Sequence, residues 1–151
     1  MAKGDLTVFE EFALDIGSKL HQLDTDTHKL ALIQTAAETG AVVATNASPT
    51  WGDFSAAEVA SGNGYATGGE TVASTALTEA AGVAKFDGAD VTWSQNASGF
   101  TNARSAILYS STATSSNAIC YVDLGSSNVS LQDGDITVAW NASGILTITV
   151  S

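Results

Sequence analysis

The chain reads as a mainly β protein: an antiparallel β-sandwich, jelly-roll-like, with an amphipathic helix at its N-terminus. Three observations predict this. Large apolar residues recur at steps of three and four only near the start of the chain. From Val83 onward, short β-forming runs are separated by turns rich in Gly, Asn, Asp and Ser. No long helical patterns alternate with the strands, which argues against a parallel α/β sheet.

The helix is expected over Thr7–Leu23, where Phe9, Phe12, Ile16, Leu20 and Leu23 fall on one stripe. Thr7 and Glu10 have the spacing of a capping box, and Gly17 predicts a kink or break. After Asp24–Thr27 the period shortens towards two, and His28–Gln34 reads as a strand with Leu30 and Leu32 on one face. This divides one domain into an N-terminal helix and junction (1–27) and a β-sandwich (28–151). Residues 36–80 read as an irregular surface excursion. It offers a possible strand at Ala41–Thr45, a possible helical turn in Ser55–Ser61 and the glycine cluster Gly62–Gly69.

The pattern then becomes regular. Val83–Phe86 and Ala89–Trp93 flank Asp87-Gly88, a hairpin signature. Ala103–Tyr109 and Ala118–Leu124 are strands joined by a polar segment, and Asn128–Leu131, Asp135–Trp140 and Ile145–Val150 complete the set. Asn96-Ala-Ser-Gly99 echoes Asn141-Ala-Ser-Gly144, each following a strand that ends near a Trp, as at turns where Asn and Gly tolerate positive φ.

Composition narrows function by exclusion. With 16 acidic against 5 basic residues and a formal charge of -11, the chain is ill suited to contact many phosphates, so no nucleic-acid partner is expected. No apolar run reaches membrane-spanning length, and the acidic start does not resemble a secretory signal. One cysteine, Cys120, leaves no internal disulfide and reads as a small buried hydrophobe. The four Asn-x-Ser sequons (Asn46, Asn96, Asn128, Asn141) would matter only in a secreted eukaryotic chain.

The sequence offers little chemistry. His21, Asp24, Asp26 and His28 form the densest cluster of potential metal ligands, but their spacing suits a helix-to-strand turn better than a metal site. The Gly62–Gly69 loop lacks the spacing of a dinucleotide fingerprint, and no Lys-Ser/Thr follows it. No Gly-x-Ser-x-Gly elbow is present, and sixteen acids make any carboxylate pair uninformative. No catalytic residue, metal or cofactor is therefore assigned. Trp93 and Trp140 lie in phase with Val91 and Val138 and read as core, whereas Trp51 and Tyr65 read as contact aromatics.

Several segments resemble a widespread group of small tailed-bacteriophage virion proteins. They are Phe9-x-x-Phe12-x-x-x-Ile16-Gly17-x-x-x-His21-x-Leu23, Thr27–Leu32 and Glu58–Tyr65 with Gly68-Gly69. The later stretches Ala84–Phe86, Asp90–Trp93, Arg104–Tyr109, Asp133–Asp135 and Ser143–Ile148 continue the likeness over nearly the whole chain. The resemblance is to capsid decoration, or cement, proteins. It implies a structural role on the outer capsid surface, with the major capsid protein as partner and a homo-oligomer (dimer or trimer) as the binding unit. A head–tail connector, tail or fibre component and a carbohydrate-binding module are the alternatives. The contact residues expected on physical grounds are Phe9 and Phe12 on the N-terminal helix, which would either seal one open end of the sandwich or dock on the shell, Trp51, Asn63 and Tyr65 in the excursion, and Ile145 and Ile148 on a pairing edge strand.

Overall fold

The computed structural model describes residues 1–150; Ser151, the last residue of the expected sandwich segment, lies outside them. In chain order the elements are β1 (Leu6–Val8), α1 (Phe12–Gly17), β2 (His28–Ile33), α2 (Trp51–Phe54) with a 3₁₀ turn at Ser55–Ala57, β3 (Glu70–Thr71), β4 (Ala76–Ala80), β5 (Val83–Asp87), β6 (Val91–Trp93), β7 (Ser105–Ser110), β8 (Ala118–Asp123), β9 (Ile136–Val138) and β10 (Leu146–Thr149). They make a mostly β domain with three antiparallel sheets, ordered β1-β8-β7-β2-β3, β10-β5-β4 and β6-β9. Among the described residues no helix is long and apolar enough to cross a membrane.

The five-stranded sheet is the centre of the molecule, and β7 and β8 are buried along their whole length. Their sequences, Ser-Ala-Ile-Leu-Tyr-Ser and Ala-Ile-Cys-Tyr-Val-Asp, do not alternate polar with apolar because both faces of this sheet are covered. On one face Leu30, Leu32, Leu108 and Val122 pack with Phe86, Trp93, Ile136 and Leu146 of the two smaller sheets. On the other, Ala31, Ile33, Ile107 and Tyr121 pack with Phe9, Val42 and Phe54. β2 thus keeps the expected register, Leu30 and Leu32 on one face and Ala31 and Ile33 on the other.

The 36–80 segment is less superficial than expected. It provides the second cover of the central sheet, where burying Phe54 contributes roughly 1.5–3 kcal/mol before entropy is counted. Ala41–Thr45 forms turns rather than a strand, with a single bridge between Thr39 and Val42. Of the helical turn expected in Ser55–Ser61 only the 3₁₀ turn Ser55–Ala57 forms, and it follows the unexpected α2, where the Asp53 carboxylate accepts the Thr50 N–H at 3.0 Å.

Three other expectations are corrected. The helix covers only Phe12–Gly17, not Thr7–Leu23. Leu6–Val8 is instead captured as an edge strand by β8, so Thr7 pairs with Tyr121 and caps nothing. Beyond Gly17 the chain turns at Lys19, whose φ is 61°. The hairpin through Asp87-Gly88 is also absent, because β5 and β6 belong to different sheets. Gly88 is not left-handed, and a Cβ there would lie 2.8 Å from Val72, so its glycine serves close packing. The tight hairpin lies one strand earlier: Ala81 (φ 51°) and Gly82 (φ 80°) join β4 to β5 in the handedness of a type I′ turn. Asn128–Leu131 contributes one bridge, Ala103 to Val129, rather than a strand.

Candidate functional site

The densest buried polar cluster joins residues far apart in sequence. Asp15 comes from α1, His21 from the segment after it, Ser110 from the end of β7 and Asn117 from just before β8; all four are buried. The Ser110 Oγ lies 3.0 Å from His21 Nδ1, while His21 Nε2 lies 3.7 Å from Asp15 Oδ2. Asn117 donates its Nδ2–H to the same Asp15 oxygen at 3.1 Å. Burial lowers the His21 pKa against the opposing pull of Asp15 and Asp26. In outline this is a hydroxyl, an imidazole and a carboxylate in sequence, the groups of nucleophilic catalysis. Ser110 is fully enclosed, however, so the visible consequence is cohesion: the cluster ties α1 to the β7–β8 hairpin.

Of the four residues weighed as metal ligands, His21 and His28 are buried, Asp26 is half-buried and Asp24 is exposed. His28 packs against Phe86 at 4.8 Å between ring centroids, and neither of its ring nitrogens has a hydrogen-bond partner. Burial depresses its pKa to about 4, with Asp26 opposing and His21 reinforcing the shift. Among the described residues no three His, Cys, Asp or Glu side chains converge as a metal centre requires.

The expected contact residues divide. Phe9, Phe12, Tyr65 and Ile145 are buried in the chain's own core. Phe9 stacks with Phe54 at 5.7 Å and Phe12 meets His21 at 5.2 Å, so both pack inward. Tyr65 accepts the Leu32 N–H at 2.9 Å and donates to Glu58 at 2.8 Å, and burial pushes its phenol well above the ordinary range. The same Glu58 carboxylate accepts the Gly68 N–H at 2.6 Å, so the glycine loop is closed over the core. Trp51 is half-buried and stacks on Tyr109, with 4.8 Å between centroids and planes 6° apart. Asn63, at φ 52°, and Ile148 remain exposed.

The His21–Ser110 and Asn117–Asp15 contacts escaped sequence reasoning because they span 89 and 102 residues, and the Tyr65–Glu58 contact because its seven-residue spacing in an irregular segment matches no motif. Only one local signal pointed their way: both histidines sit beside apolar runs destined for the core. Comparisons of the chain with protein families, curated proteins and solved structures gave no match.

Proposed function

We propose that this chain is a structural virion protein that binds the outer surface of a phage capsid and cements neighbouring major capsid protein subunits. The sequence resemblance supports this reading, and one structural observation carries it. The β10-β5-β4 sheet has both outer strands unpaired on their far side, and Leu77 and Ile148 on it are exposed. Such a sheet is suited to contact, since open edges and apolar side chains are what a neighbouring subunit covers. The formal charge of -11 suits a position facing outward, away from packaged nucleic acid.

The jelly-roll-like reading belongs to this proposal. The central sheet would form one wall, and the β10-β5-β4 and β6-β9 sheets together the other. The exposed Ile148 edge would join copies into a dimer or trimer, so that modest contacts add up over a repetitive shell.

Cryo-electron microscopy of the particle tests the proposal. Many copies distributed over the shell exterior are expected. A six- or twelve-fold ring at the neck or tail would assign the connector or tail role instead. Absence from the particle, together with binding on a glycan array, would favour a carbohydrate-binding module.

A further inference from the structure

The cover on one face of the central sheet is a strand short. β9 has β6 on one side and a groove on the other, and no β6 residue lines that groove. A cleft of about 560 Å³ opens between β9 and the β1–β8 edge. It continues into clefts of about 190 and 450 Å³, and Lys3 and Leu124 line all three. Leu6, Val122 and Leu124 supply apolar lining on the central-sheet side.

The β9 edge is open to hydrogen bonding. Trp140 donates its backbone N–H to Asp90, and Gln95 donates its own to Asp135, across the β6–β9 pair. Backbone groups alternate sides along an antiparallel strand, so those of Thr137 and Ala139 point away from β6, along the groove. The lining is also acidic: the exposed Asp5, Asp133 and Asp135, with the buried Asp123 behind them, stand against Lys3 alone.

We propose that this groove is a strand-addition site for an extended basic segment of a partner protein. The segment would pair with the backbone of Thr137 and Ala139 and lay apolar side chains on Leu6, Val122 and Leu124. Its outward Lys or Arg side chains would meet the carboxylates. Charge argues against a second copy as the occupant: the chain's five basic residues, Lys3, Lys19, Lys29, Lys85 and Arg104, are scattered, with no two at alternate positions. The assignment concerns the surface and the chemistry of what fills it, and it does not depend on the partner being a capsid protein.

Amide hydrogen exchange by NMR tests it, using a seven-residue peptide that alternates lysine and valine and a glutamate–valine counterpart. The lysine peptide is expected to slow exchange at Thr137 and Ala139 at least tenfold, and the glutamate peptide to leave both unchanged. A D5K/D133K variant, altered only at exposed positions, should bind the lysine peptide about tenfold more weakly. Thr137→Pro, which removes a donor facing the groove, should weaken it as well. Unchanged exchange at saturating lysine peptide, equal binding of both peptides, or undiminished binding by D5K/D133K would overturn the proposal. Protection of these amides that rises with protein concentration in the absence of peptide would overturn it in favour of a second copy.

Discussion

The Tyr65 hydroxyl donates to the Glu58 carboxylate at 2.8 Å while accepting the Leu32 backbone N–H at 2.9 Å. One phenol thereby satisfies the N–H of a fully buried residue, Leu32, and fixes the carboxylate that closes the glycine loop. Tyr65→Phe keeps the ring but leaves the Leu32 N–H without its partner and Glu58 short of a donor. A loss of about 1–3 kcal/mol is expected in urea unfolding, the cost of an unsatisfied buried polar group. A variant as stable as the parent would show that solvent replaces the phenol.

Acid should loosen the fold through His28. Its pKa is about 4 in the folded chain against an ordinary 6.5, so between these values the unfolded chain binds more protons. The contribution is fully present above about pH 6.5 and is lost as pH falls towards 4, amounting to about 3 kcal/mol. His21, shifted in the same direction, adds to the loss. Denaturant titrations from pH 7 to 5 check this, and His28→Gln should flatten the slope relative to the parent chain. An equal slope in both chains would remove His28 as the cause.

Two glycines with similar φ should respond very differently to alanine. Gly82, at φ 80°, has open space where a Cβ would go, so Gly82→Ala should cost about 1–2 kcal/mol through its left-handed backbone alone. Gly69, at φ 76°, faces the Leu30 carbonyl, which a Cβ would overlap. Gly69→Ala should cost roughly 3 kcal/mol or more, because β2 itself would have to move. Parallel chemical denaturation of the two variants gives the comparison.

Cys120 should be inert in the folded chain. It is fully buried, and burial raises its thiol pKa far above neutrality, leaving little thiolate to react. A maleimide or aromatic disulfide reagent should label it only as urea unfolds the protein, with the labelling midpoint matching the fluorescence midpoint. Fast labelling in native buffer would require an opening of the β7–β8 region below the global transition.

Sequence by itself determined the β class, the existence of strands β7 and β8 and the shared face of Leu30 and Leu32 on β2, since these rest on local strand preference and spacing. It also marked the turns at Asn96 and Asn141, whose side chains each accept the N–H two residues on at 2.9 Å, a contact that Asn46 also makes, at 3.1 Å. Even there the backbone detail differs, since of Asn96, Gly99, Asn141 and Gly144 only Gly144 has positive φ. Tertiary structure decided the rest. Leu6–Val8 satisfies a helical pattern as well as a strand pattern, and pairing with β8 made it a strand. Phe9, Phe12 and Tyr65 look alike in sequence whether they face a partner or a core, and only the two-sided covering of the central sheet buried them. The Asp15–His21–Ser110 cluster and the β9 groove depend on which strands become neighbours. Such contacts join residues too distant in the chain for any local pattern to mark them.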